Sequence, residues 1–223
     1  MTFSVIEALL NACFMLYGLL MGHLSRRILA AMPVESAVSG PQPLFRSPAG
    51  GIRTVPRVYD CEISCALLFL PIPSFIDGLP PCQWPAALLL GWFLSTLSWI
   101  DYHLLLLPDK LTGPCLLCGL AFRLPDGVPA VTEGMIGAAA GGAVMALLNA
   151  GFLRWRGYRG MGGGDGKLLA ALGAWLGWRP LSLVCCEAAL FGLAVYALAG
   201  RTHGKIPFGP CLALAGWLEY ISS

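Results

Sequence analysis

Charge is what this chain has least of. Only 12% of its 223 residues are Asp, Glu, Lys or Arg, about half the roughly 25% of an ordinary soluble domain. With 57% hydrophobic residues and a mean hydropathy of +0.73, that scarcity excludes the soluble globular class and predicts an all-α, polytopic integral membrane bundle. The net charge is only +2, and the arginines lie between apolar segments rather than along one face. This argues against a nucleic-acid partner and leaves membrane lipid as the surroundings. Lysine and arginine are also missing before the first apolar run, "MTFSVIEALLNACFMLYGLLMGHLSRR", which carries Glu7 and is followed by Arg26 and Arg27. A cleaved signal peptide has the opposite charge order, so this stretch reads as a retained first span with its N-terminus outside.

A second pair of metal-binding cysteines is also lacking. Of nine cysteines, Cys13, Cys65, Cys115, Cys118, Cys185, Cys186 and Cys211 sit inside apolar runs, where cysteine behaves as a small buried hydrophobe. Cys115 and Cys118 have CxxC spacing, but no second CxxC or nearby histidine accompanies them. Helix packing is expected there, and no metal.

What is abundant is apolar sequence. Segments bounded by charge, proline or glycine fall near 4–22, 61–76, 84–100, 111–123, 134–153, 167–178, 180–199 and 207–221, which predicts about eight transmembrane helices. Several of them, notably 111–123 and 167–178, are shorter than the roughly 20 residues of a full span, so the bilayer thins locally or those helices end below its surface. The loops after the odd-numbered segments hold twelve of the fourteen basic residues; only Arg123 and Arg179 fall on the other side. By the positive-inside rule this places both termini in the periplasm and the basic loops in the cytoplasm. The domain reading is a first transmembrane helix over 1–25, a cytoplasmic loop over 26–60 and a membrane-embedded core over 61–223. The loop, with "PVESAVSGPQPLFRSPAGG", has turn-forming composition and no helical period; it reads as a connector or as a substrate-docking lid. Small residues at Gly137 and Gly141, and at Gly173 and Gly177, predict close helix crossings.

A carboxylate within or at the edge of a bilayer is costly enough to be a functional candidate. Most of the acidic residues have plain explanations. Asp60 and Glu62 flank a helix start, Asp77 lies in an outer loop, Asp126 sits in the turn "LPDG", and Glu133 opens a helix whose dipole favours negative charge. Glu187, inside an apolar segment, has no partner that sequence can name. Asp101 ends the run "PAALLLGWFLSTLSWID", and Asp165 stands in "GMGGGDGKLL" at the entry to a later helix; both fall at the cytoplasmic edge. Two carboxylates sharing one site cannot both ionise cheaply, so one keeps a proton while the other stays charged. Such a pair can activate water against a peptide carbonyl and protonate the carbonyl oxygen, without metal or cofactor. Gly162 and Gly164 are expected to clear a path for an extended substrate and to permit positive φ. Asp109 reads as a helix cap before "KLTGP".

The stretches "IDYHLLLLPDKLTGP" from Ile100, "GMGGGDGKLLAALGAWLGW" from Gly160 and "IPFGPCLALAGW" from Ile206 together resemble the type IV prepilin peptidase family, the bacterial GxGD aspartyl proteases. The resemblance covers roughly residues 84–220. It implies that Asp101, seven residues before Pro108, and Asp165 of the GxGD motif are the catalytic pair, with Gly162, Gly164, Pro108, Asp109 and Lys167 supporting them. It also implies a peptidase core over 61–223 in the bacterial inner membrane, acting at the cytoplasmic face. The substrate would be a type IV prepilin or type II secretion pseudopilin, whose short basic leader is removed.

Many members of that family also methylate the new N-terminus with S-adenosylmethionine and carry a four-cysteine domain after the first helix. Here the loop has no cysteine before Cys61, and the family's "GSFLNV" segment appears only as "GLLMGHLSRR". The resemblance is therefore to a short form, and methylation stays open. His23, His103 and His203 read as interface or loop residues. A small transporter or proton-conducting protein is the alternative class, but it predicts midplane carboxylates and internal repeats, and neither is found in the sequence.

Overall fold

In the computed structural model of the chain, the described residues are 16, 18–25, 27, 83–105, 107–157, 162–198 and 207–222. Most of the expected first span, nearly all of the 26–60 loop, the 61–76 span, His203 and the side chain of His103 lie outside them. The chain divides into two compact units, Met1–Phe75 and Ile76–Ser223. In the first, residues 18–25 are helical, and Ser25 Oγ donates to the Met21 carbonyl at 2.8 Å.

The described residues of the second unit are all-α, with one short 3-10 turn and no strand. The helices are α1 (Trp84–Leu104), α2 (Asp109–Phe122), α3 (Val128–Arg156), α4 (Gly163–Leu176), α5 (Leu181–Leu198) and α6 (Gly209–Ser222), and the 3-10 turn Leu124–Asp126 joins α2 to α3. Each helix matches an apolar segment read from sequence, with ends set by local chemistry. Pro85 and Pro129 stand in the first turns of α1 and α3, where a missing N–H costs nothing and φ is already helical. Gly157 ends α3 at φ 75°, and Gly177 ends α4 at φ 85°; the left-handed region favours glycine at such caps.

Proline at the start of α3 also corrects the reading of Glu133. The helix begins at Val128 and has no acidic residue in its first turn, so Glu133 does not complement the dipole. Its Oε1 instead lies 3.8 Å from Nη2 of Arg179.

The core is organised around α4. Its residues from Leu168 to Leu176 are buried apart from Ala170, the pattern of a helix walled in by protein. It packs against α3, α2 and α6, while α1 packs against α6 and α2, and α5 against α6. A 14-residue helix is about 21 Å long, too short to cross about 30 Å of hydrocarbon alone. Enclosure by its neighbours removes that requirement.

The α3–α4 crossing is backbone on backbone. A Cβ on Gly137 would collide with the carbonyl of Gly173, one on Gly173 with the carbonyl of Gly137, and one on Gly141 would lie 2.5 Å from the Leu169 oxygen. All four small-residue positions read from sequence therefore lie at the close approach; Gly177, whose carbonyl carbon is 2.6 Å from where a Cβ on Gly137 would stand, also serves as the helix cap. On the α2 side, Trp175 Nε1 donates to the Cys115 carbonyl at 2.8 Å, its ring stacks on Phe122, and a Cβ at Gly119 would lie 2.6 Å from its Cδ1. Arg123 closes the same end of α4, with Nε donating to the Trp175 carbonyl and Nη1 to that of Ala130, both at 3.0 Å. The bond to Trp175 satisfies an acceptor that the C-terminal end of α4 leaves open, and the bond to Ala130 ties that end to the first turn of α3.

Among the described residues, α3 is the one helix long and apolar enough to cross a membrane by length and composition, and only 17% of its apolar window is buried inside the protein. Leu147, Leu153 and Trp155 on it are exposed, as expected of a surface that meets lipid.

Candidate active site

Asp101 lies in the last turn of α1, and Asp165 is the third residue of α4. Both are buried, at 4% and 6% exposure, and they are close enough for their charges to act on each other. The structure therefore brings together two carboxylates 64 positions apart in sequence. It does so although α1 and α4 make few direct contacts, because both helices pack on α2 and α6.

Four residues join α1 to α2. Leu105 ends α1 at φ 54°, a left-handed conformation uncommon for a residue with a branched side chain, and its N–H donates to the Asp101 carbonyl at 2.8 Å. The Asp101 main chain is thus held by the cap that follows it. Pro108 then stands at the N-cap of α2 in an extended conformation, and its carbonyl accepts from Leu111 and Thr112 at 3.0 and 3.1 Å. Proline supplies no donor of its own, so this helix start is closed by its carbonyl.

Asp109 is the first residue of α2 and makes no capping hydrogen bond. This corrects the reading of it as a cap. Its Oδ1 instead forms an ion pair with Nζ of Lys167 on α4, two residues beyond Asp165. Both side chains are well exposed, and such pairs contribute about 0–1 kcal/mol. We therefore expect Asp109→Asn and Lys167→Gln each to change the rate of any reaction at the site by less than about five-fold, the equivalent of about 1 kcal/mol. Initial-rate measurements on the purified variants check this. A hundred-fold loss in Asp109→Asn would make Asp109, not Asp101, the partner of Asp165.

The glycines of the GxGD motif do not take the positive φ read for them from sequence. Gly162 is the N-cap of α4 at φ −63°, and Gly164 is helical; neither has positive φ. What Gly164 provides is space. A Cβ there would lie 2.8 Å from Cβ of Leu107, so its absence lets Leu107 rest directly on the helix that carries Asp165. At Gly162 a Cβ would stand 3.3 Å from Oδ2 of Asp165, tight against the carboxylate itself.

One group at the site was not singled out from sequence. Gly209 N–H, at the start of α6, donates to Oδ2 of Asp101 at 2.8 Å, and the bond is buried. The signal was present in "IPFGPCLALAGW", but nothing in that segment says what it would touch. Glu187 is a separate case: its Oε2 is buried without a hydrogen-bond partner, and its charge acts on Glu219 of α6.

A buried carboxylate pair with one member held by a main-chain amide has the parts for general acid–base catalysis on a water molecule. Comparison with known proteins agrees with that chemistry. Residues 88–197 match the model of the type IV leader peptidase family. A prepilin leader peptidase/N-methyltransferase of Aeromonas salmonicida (strain A449) is 48% identical over 141 residues, covering 61% of this chain and 48% of that protein. One of Neisseria gonorrhoeae is 37% identical over 137 residues, 61% of this chain and 48% of that protein. The chain thus spans about half the length of these curated relatives. No solved structure matches. The counterpart in Escherichia coli (strain K12) is 37% identical over 179 residues that make up 76% of each chain, and on that breadth of similarity the chain belongs to the type IV leader peptidase family.

Proposed function

We propose that this chain is a membrane aspartic endopeptidase that removes the short basic leader from type IV prepilins or type II secretion pseudopilins. The observation that carries the reading is the buried pair Asp101 and Asp165, whose charges interact across the bundle. Family membership supports the substrate class, since the relatives are named as prepilin leader peptidases.

In the proposed reaction the charged carboxylate takes a proton from water as the water oxygen bonds to the scissile carbonyl carbon. The protonated carboxyl gives its proton to the carbonyl oxygen, and a neutral tetrahedral diol results. Collapse of the diol breaks the C–N bond; the amine leaves with one proton, and the second carboxyl is reprotonated from the diol hydroxyl. The pair returns to one proton shared between two groups. Burial serves this chemistry by excluding bulk water, which strengthens each electrostatic contact. Gly164, Asp109 and Lys167 join the two motifs by the contacts described above, while Pro108 opens the helix that carries Asp109 and Gly162 stands against the Asp165 carboxylate.

The proposed setting is the bacterial inner membrane, with about eight spans, both termini periplasmic, and the catalytic pair at the cytoplasmic face. The supports are the twelve of fourteen basic residues in alternate loops and the coincidence of six apolar segments with helices. With that orientation a basic leader stays in the cytoplasm while the apolar pilin helix stays in lipid, so the scissile bond lies level with Asp101 and Asp165. The division into a first helix (1–25), a cytoplasmic loop (26–60) and a peptidase core (61–223) belongs to the same proposal.

The names of the relatives couple the peptidase with an N-methyltransferase. S-adenosylmethionine would serve that second activity alone. The 26–60 loop, on which that reading partly turns, lies almost entirely outside the described residues, and our proposal is confined to proteolysis. Co-expression with candidate prepilins tests it: the pilin band should shift to the mobility of the shortened chain. A prepilin left full length by every candidate pairing would reject the reading. Mass spectrometry of the cleaved N-terminus reports methylation directly, as a product one methyl group heavier.

A further inference from the structure

The segment that opens α6 has no part in the chemistry described so far, although it touches one of the two carboxylates. The Phe208 carbonyl accepts from Leu212 at 3.0 Å, so Gly209 is the first helical residue. Its N–H is among those that a helix cannot satisfy internally. Pro210 follows, in the first turn, where its missing donor is harmless. The Gly209 donor finds Oδ2 of Asp101 at 2.8 Å, across 108 residues of sequence.

The same glycine is also required sterically. A Cβ built on it would lie 2.6 Å from Oδ2, 2.8 Å from Cγ and 2.9 Å from Cβ of Asp101. Non-bonded carbon atoms rest about 3.5–4.0 Å apart, so no side chain fits while Asp101 keeps its place. Two of these three atoms, Cβ and Cγ, are close to the main chain of Asp101, which is fixed by the hydrogen bond from Leu105 to the Asp101 carbonyl. The carboxylate therefore has nowhere to retreat except by changing rotamer.

We propose that Gly209 is a positioning residue for Asp101: its amide anchors one carboxylate oxygen, and its missing side chain is the space in which that carboxylate sits. Oδ2 is the oxygen so held, which leaves Oδ1 to exchange protons with water. The assignment rests on the proposed role of Asp101 in peptide hydrolysis, but its steric half can be tested without activity.

The variant is Gly209→Ala, compared with Gly216→Ala on the same helix. A Cβ at Gly216 would meet the end of the Leu172 side chain, remote from both carboxylates in the helix. Misplacement of a catalytic group by about 1 Å costs on the order of 100-fold in rate. Gly209→Ala should therefore lower kcat for prepilin cleavage about 100-fold, with KM within three-fold of wild type. Gly216→Ala should lower the unfolding temperature but leave kcat per folded enzyme within three-fold. Wild-type kcat in Gly209→Ala, or a loss confined to KM, overturns the proposal while an active wild-type enzyme leaves the peptidase reading intact. If Gly209→Ala does not fold, the double variant Asp101→Gly/Gly209→Ala decides. Replacing Asp101 by glycine removes all three colliding atoms, so the double variant should unfold at the temperature of Asp101→Gly alone. A double variant that still fails to fold would overturn the assignment.

Discussion

Asp101→Asn and Asp165→Asn should each lower the prepilin cleavage rate by at least about 1,000-fold, within the range assigned to lost general acid–base catalysis. Asparagine matches aspartate in shape, so the pocket stays filled and the Gly209 N–H keeps an oxygen to bond. What is lost is a group that can gain or release a proton. Folding should survive. The two carboxylates are buried, and replacing one by a neutral amide removes the cost of holding an ionisable group in that site. The unfolding temperature in detergent should then equal or exceed that of wild type. The assay is cleavage in co-expressing cells, read by mobility shift and checked against variant levels in the membrane fraction. Either variant retaining a tenth of wild-type activity would remove that residue from the catalytic pair. A variant absent from the membrane would show that the carboxylate is needed for folding instead.

The second large effect is structural. Gly173→Leu should destabilise the unit by about 3 kcal/mol or more, at the upper end of the penalty for overpacking. Leucine is a better helix former than glycine, so a loss cannot come from helix propensity. It comes from the collision of the new side chain with the Gly137 carbonyl and the amide of Ala138. Main-chain atoms have no alternative rotamer to adopt, so α3 and α4 must move apart. That movement would carry Asp165 away from Asp101, and activity should fall with stability. Gly151→Leu on α3 is the comparison, because a Cβ at Gly151 meets nothing within 4 Å; it should be neutral or slightly stabilising. Thermal unfolding of both variants in the same detergent measures the difference. Equal unfolding temperatures for Gly173→Leu and wild type would show that the crossing is not as close as described.

The extent to which the sequence foretold these features differs from one kind to another. Helices α1 to α6 were legible because each is an apolar run ended by glycine, proline or charge, and these signals act within a few residues. The α3–α4 crossing was legible because small residues at four-residue spacing have few other uses in lipid. The site was only half legible. Asp101 and Asp165 stood out as carboxylates in apolar surroundings, but the groups around them are joined by contacts that no local pattern encodes. Asp109 and Lys167 are 58 residues apart; Asp109 alone read as a helix cap, and Lys167 was singled out only by the family resemblance. Gly164 looked like a conformational device, because glycine in a loop usually is one; inside a helix it is instead a gap that admits Leu107. Gly209 could not have been read as a partner of Asp101, since a main-chain donor leaves no residue type to recognise.

The joining of α3 to α4 through their backbones has a further consequence. The 29 residues of α3 amount to about 43 Å of helix, most of it facing outward, and in the proposed membrane setting its position along the bilayer normal is set by the lipid it meets. At Gly137, Gly141 and Gly173 the two main chains meet directly, so α4 inherits that height. In that setting α3 works as a depth gauge for Asp165, and lipid thickness reaches the proposed chemistry through three glycines.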